Sequence, residues 1–219
     1  MINDSDSKEY EITPELFHDR FNDSKSEREL SGFLKKYPWP LYWSLCTTGG
    51  HSKYMFHEFP LSSRYRCDFV ILNCYSLKWE IKFIEIEPIN TNIFTKNRSL
   101  AKRTNGALTQ VLDWKKYFSV NRQEIINELC RWIKNKKDIL KYDKPWDNPS
   151  NDSGNYLKDP ETFIDDRYYI IIGNSKTQTP EMNSFRGQYS RSTDIDIISY
   201  NRLEKVVDFR YPLSKHFSK

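Results

Sequence analysis

Two apolar stretches with carboxylates set into them constrain this chain most. Residues 66–72 (RCDFVIL) and 79–88 (WEIKFIEIEP) are rich in Val, Ile, Phe and Trp, side chains that suit a half-buried pleated surface. A short polar turn, 73–78, separates them, so they read as two adjacent strands. Asp68 lies inside the first. Glu85 and Glu87 stand two apart at the end of the second, and residues two apart share one face of a strand. Pro88 ends that strand by withholding an N–H. Like charges on one face of a strand end repel each other. A cation is the simplest compensation, and hard divalent ions such as Mg²⁺ take oxygen ligands of this kind. A plainer alternative stands beside it: strand-end carboxylates are often only solvated, and Asp68 could pair with Arg64 or Arg66.

The length, 219 residues, suits one domain of generous size or a core with an insertion. Charged residues make up 29% and aromatics 15%, a polar but aromatic-rich mixture that belongs to a globular chain rather than a disordered one. A net charge of +4 permits nucleic-acid binding without arguing for it. The cysteines, Cys46, Cys67, Cys74 and Cys130, have no CxxC spacing and indicate neither a disulfide framework nor a zinc site. Residues 1–10 are acidic and polar, unlike a signal peptide, and no apolar run reaches membrane-spanning length. A soluble protein of the reducing cytoplasm, with no membrane partner, is the expectation.

Residues 1–23 read as an N-terminal leader, loose over 1–13. A helix starts near Ser24 or Ser26, with Leu30, Phe33 and Leu34 at helical spacing. Glu27 and Glu29 fall in its first turn, where a helix N-terminus favours negative charge; that accounts for Glu27 without any further role. The prolines at 38 and 40 stop the helix. Residues 47–50 form a turn and 53–59 a first strand. After the paired strands comes a polar loop, 90–97. A helix over 99–118 follows, buried through Leu100, Thr104, Ala107, Val111, Trp114 and Phe118, with Arg103, Gly106, Gln110 and Tyr117 on its flank. A second helix spans 123–140. The stretch 142–166 is long and polar, rich in Asp, Asn, Pro and Ser; its segment 147–154 lacks the alternation and closing Glu of a calcium loop. The unbroken apolar run 167–173 reads as a buried strand parallel to a neighbour. A helix over 180–190, a strand over 195–200 and a short closing helix over 202–207 complete the chain. Three strands in a meander followed by helix-connected strands give an α/β fold, a mixed sheet flanked by helices. Residues 24–219 form its one domain, with a helical and loop insertion at about 119–166.

These pieces in order resemble the Shedu anti-phage nucleases, within the PD-(D/E)xK restriction-endonuclease-like superfamily. Glu27 with Phe33, Leu34, Pro38 and Trp39 resembles the family's opening "E…FL…P" helix. Arg66-Cys67-Asp68-Phe69-Val70 resembles its "R-x-D-F" strand, and Phe83-Ile84-Glu85-Ile86-Glu87-Pro88 resembles its "(I/V)-E-(I/L)-(K/E)-x-P" strand. Ala107, Gln110, Val111 and Trp114 resemble its "A-x-x-Q-(I/L)-x-x-W/Y" helix. The run 168–173 with 194–203 resembles its closing "IIIGR…I-x-I-(T/S)-Y-D-x-L". The resemblance implies a restriction-endonuclease-like sheet and a Mg²⁺-dependent (Mn²⁺ as alternative) endonuclease that cuts DNA, assembled as a homo-oligomer. Asp68 and Glu85 would hold the metal, Glu27 would complete its shell, and Gln110 would orient water or backbone.

The chain departs from the signature where it matters chemically. The lysine that activates water is Glu87 here, which could serve as a general base or a further ligand. Lys82 is no substitute, because its parity puts it on the opposite face. Lys96, Lys102 or Arg103 could supply the charge instead. The basic stretch 96–116, with Lys96, Lys102, Arg103 and Lys115, is the candidate DNA surface, although a solvated helix face also explains such charges. Two other readings follow. One is a weak or inactive nuclease-fold protein that binds DNA or a partner as scaffold or sensor. The other is an α/β domain whose carboxylates are only surface charges.

Overall fold

The computed structural model describes residues 12–24, 26–46, 50, 52–75, 78–141, 156–174 and 179–217. Three helices, α1 (Pro14–Asp23), α2 (Glu27–Lys36) and α3 (Trp39–Leu45), lead into a meander of β1 (Ser52–Pro60), β2 (Arg66–Tyr75) and β3 (Lys78–Ile86). The long α4 (Lys102–Lys134) carries the chain to β4 (Ile164–Ile171). Then come α5 (Pro180–Thr193), β5 (Asp196–Ile198) and α6 (Asn201–Phe217). The sheet runs β1-β2-β3-β4-β5. β1, β2 and β3 pair antiparallel, whereas β4 lies parallel to both β3 and β5. The result is a mixed α/β fold, as the element order predicts.

Each face of the sheet has its own core. Leu72, Trp79, Phe83 and Ile170 meet Val111, Trp114 and Phe118 of α4 on one side. Phe69, Ile71, Ile84 and Ile86 meet Phe17 and Phe21 of α1, Leu30 and Leu34 of α2, and Leu203 of α6 on the other. The alternation along β3 sorts Phe83 and Glu85 to the α4 side, Ile84 and Ile86 to the other. The α4 stripe is the one the spacing predicts: Thr104, Ala107, Val111, Trp114 and Phe118 are all buried.

Four expectations need correction. Residues 14–23, expected as the second part of an N-terminal leader, form α1, capped by Thr13, which accepts from the Leu16 N–H, with Pro14 in the first turn. Phe17 and Phe21 in it are fully buried; the remainder of the expected leader, 1–11, lies outside the described residues. Pro38 and Pro40 do end α2, but they also open α3, because a proline in the first helical turn gives up an N–H that has no partner there anyway. The break expected between helices over 99–118 and 123–140 is present: Lys102–Lys134 is two helices joined at a kink at Asn121 (φ −114°, ψ 28°), starting later and ending earlier than the spacing predicts. The closing helix reaches Phe217 rather than 207. The hairpin strands are longer than expected, up to Tyr75 and from Lys78. The proposed turns at 47–49 and 76–77 and the polar segment 142–155 lie outside the described residues.

Candidate active site

The candidate residues gather where β3 ends. β2 and β3 run in register with Phe69 opposite Ile84, so Asp68 and Glu85 are the next residues along the two chains; neighbours across such a pair stand roughly 5 Å apart at Cβ. Asp68 turns its carboxylate along the strand end, where Oδ2 accepts the Ile86 N–H at 2.7 Å. Glu85 is only 7% exposed. Its Oε1 accepts from Nε2 of Gln110 at 2.8 Å. Gln110 lies two turns into α4 and leans on the sheet because Ala107, Val111 and Trp114 beside it are buried.

Glu87 lies just past β3 and is pinned through its backbone. Its N–H donates to Ile171 O at 2.8 Å, and its carbonyl accepts from the Tyr200 hydroxyl at 2.8 Å. Tyr200 is fully buried. The Glu87 side chain accepts from Nε of Arg103 in the first turn of α4. Nη2 of the same guanidinium donates to Glu27 at 2.7 Å. Glu27 comes from α2, on the other side of the sheet, so this arginine ties the first turns of two helices together over the strand end.

Burial pushes the carboxyls of Asp68 and Glu85 above the ordinary carboxylate range. Charge repulsion adds to this, from Asp68, Glu87 and Glu27 at Glu85 and from Glu27, Glu87 and Glu58 at Asp68. The Ile86 N–H works against this at Asp68, and the Gln110 amide at Glu85. Burial raises Glu87 as well, opposed by Arg103. Among the described residues no group of three His, Cys, Asp or Glu side chains is gathered at ligand spacing. The arrangement is therefore one pair, half-buried Asp68 with buried Glu85, beside a second pair, Glu27 and Glu87, that already share a cation.

The sequence reading grouped Asp68, Glu85, Glu87, Gln110 and Glu27, and the structure brings these five to one end of the sheet. Arg66 pairs with Glu58, not with Asp68. Lys82 lies on the opposite face, as its parity predicts, with its ammonium on Glu80 and a side chain 4% exposed. Of the basic residues expected to face DNA, Lys96 and Lys102 are exposed. Lys115 is engaged with Asp194 at 2.8 Å and with the Thr193 carbonyl, and Arg103 sits in the acid cluster instead. The part played by Tyr200 escaped the sequence reading: it stood in the closing motif, but nothing in a linear pattern says which backbone its hydroxyl meets.

A family model described as Shedu protein SduA, C-terminal, matches residues 24–203. The chain belongs to the Shedu family. The matched span contains every carboxylate of the cluster described above, with Gln110 and Arg103. No curated protein matches the chain. Shedu membership ties it to anti-phage defence and points to a nuclease role. No described helix is long and apolar enough to cross a membrane.

Proposed function

We propose that this Shedu chain is a metal-dependent endonuclease hydrolysing DNA phosphodiester bonds in anti-phage defence, with a site of the PD-(D/E)xK kind. The observation that carries the reading is the Asp68–Glu85 pair. Two carboxyls adjacent across β2 and β3, Glu85 buried and Asp68 half-buried, are both held toward the neutral form by burial and by the carboxylates around them. Neither makes an ion pair with a side chain of the described residues. Carboxylate oxygens so placed suit a hard divalent ion, which would favour their charged forms. Asp68 and Glu85 would hold Mg²⁺, or Mn²⁺, with Glu27 a further carboxylate at the rim. Such an ion, when bound, polarises a phosphoryl oxygen, lowers the pKa of attached water and offsets the charge that develops during cleavage.

The protein's own groups do the positioning. Gln110 anchors its amide nitrogen on Glu85, which leaves its carbonyl oxygen to accept from a water or a substrate group. The first turn of α4 and the loop before it present Lys102 and Lys96 to solvent, where they would contact phosphates without reading sequence. Assembly into a homo-oligomer belongs to the same reading.

A second reading has one observation in its favour. The residue two past Glu85 is an acid, Glu87, and the lysine nearest along the strand, Lys82, is sealed on the other face. A weak or inactive nuclease fold that binds DNA or a partner would tolerate this. Nicking of supercoiled plasmid in Mg²⁺ or Mn²⁺ separates the two. The endonuclease cuts, and Asp68→Ala and Glu85→Ala abolish cutting while the proteins still melt cooperatively. Absence of cutting in either metal, with salt-sensitive DNA binding retained, would replace it by the binding protein.

A further inference from the structure

The acid cluster holds one cation among the described residues, and that cation is built in rather than incidental. Arg103 uses two of its five N–H groups, Nε on Glu87 and one of Nη2 on Glu27. Nη1 makes no hydrogen bond among the described residues, and the side chain is 51% exposed. A guanidinium in this state is oriented on one edge and open on the other. The orientation comes from Glu87, whose side chain is 10% exposed. That residue is fixed at both backbone groups, by Ile171 and by the buried Tyr200. Glu87 therefore has little freedom to follow a moving arginine; the arginine is placed by it.

The other basic residues near the site do not meet these conditions. Lys82 is buried on the far face with Glu80. Lys115 is bound to Asp194, and lies twelve residues along α4 from Arg103, a rise of about 18 Å. Lys96 and Lys102 are exposed and have no ion pair among the described residues to aim them.

Resting on the endonuclease reading above, we propose that Arg103 is the catalytic cation of this site. In this proposal it contacts the scissile phosphate from α4 in place of the signature lysine missing from β3, and Glu87 is its positioning residue. The acid at position 87 is then a consequence of where the cation comes from. A lysine at 87 would reach the phosphate directly from the strand. A glutamate there instead grips an arginine arriving from the helix, and the fork of the guanidinium leaves N–H groups free for phosphate oxygens.

The test is a set of variants read in two assays: plasmid nicking in Mg²⁺ or Mn²⁺, and the salt dependence of affinity for a short DNA duplex without divalent metal. Arg103→Ala is expected to slow nicking by about 10²-fold and to lower the slope of log K against log salt by roughly one. Glu87→Lys combined with Arg103→Ala is expected to regain at least a tenfold part of the lost rate and to restore the slope, because the charge returns by the strand route. Glu87→Gln combined with Arg103→Gln removes the ion pair without stranding a charge. It is expected to melt like the native chain yet nick as slowly as Arg103→Ala. Native-rate nicking by this neutral pair would overturn the proposal, leaving Arg103 a neutraliser of acids. So would full activity of Arg103→Ala, or a Glu87→Lys/Arg103→Ala protein that folds without recovery. If the native chain cuts nothing, the endonuclease reading fails separately. The salt slope then decides: a drop on Arg103→Ala that Glu87→Lys reverses keeps the phosphate contact, and an unchanged slope removes it.

Discussion

Glu85 shows at the scale of one residue what the site costs the fold. Its carboxyl is buried at a strand end and faces the charges of Asp68, Glu87 and Glu27, so its folded-state pKa lies above its unfolded one. A group shifted in that direction binds its proton more tightly when folded. Its unfavourable effect is absent below the unfolded pKa, about 4.3, and grows as pH rises above it. Glu85→Gln keeps the shape and an oxygen for the Gln110 amide but carries no charge. It is expected to stabilise the metal-free chain by about 1–3 kcal/mol at pH 8, roughly 3–10 °C in Tm, with no gain at pH 4. Thermal melts at the two pH values check this; equal effects at both would mean that ionisation is not the cause. The alternation of β3 alone places Glu85 and Glu87 on one face. It did not reveal that Arg103 would bind Glu87, because hydrogen-bond partners 16 residues apart depend on how a helix packs, not on parity.

Among the elements, α1 carries a consequence that can be measured. Phe21 is fully buried and packs edge-on to Tyr200, with ring centroids 5.3 Å apart, and Tyr200 in turn holds Glu87. Phe21→Ala is expected to cost about 3–5 kcal/mol, seen as a lower denaturant midpoint; a detached leader would show no change. The segment was illegible as a helix because its Phe17 and Phe21 stand among polar residues. Two apolar positions four apart make too short a stripe to predict burial when the receiving surface, here α6 and the sheet, is unknown. By contrast the stripe of α4 spans four turns and was legible throughout. The kink at Asn121 also has a sequence-visible neighbour: Asn121 donates through its side chain to the Tyr117 carbonyl at 3.0 Å, the local competition with the helix backbone that Asn is prone to.

For the whole molecule, the sheet separates two cores, and the site lies at the end where both approach. α2 arrives from one side with Glu27, α4 from the other with Arg103 and Gln110. Exposed Lys96 and Lys102 lie in the loop before α4 and in its first turn; on the endonuclease reading proposed above they would contact the DNA backbone. Lys96→Ala and Lys102→Ala are each expected to lower the salt slope of duplex binding by at most about one, with little effect on duplex sequence preference. Filter-binding titrations across a salt series measure this. The Lys115→Ala slope should change less, since Asp194 already holds that ammonium.

Local chemistry was enough to determine much of this protein. The period of two in β2 and β3, the helical stripe of α4, the buried run of β4 and the proline stops depend only on near neighbours in the chain, and they yielded the α/β class and the candidate carboxylates Asp68, Glu85 and Glu87. The tertiary structure decided the rest: that residues 14–23 belong to the core, that Tyr200 fixes the backbone of Glu87, and that the cation beside the acids comes from Arg103. Each of these is a contact between elements far apart in sequence. Such contacts are set by the packing of whole faces, and a linear pattern does not encode which faces meet.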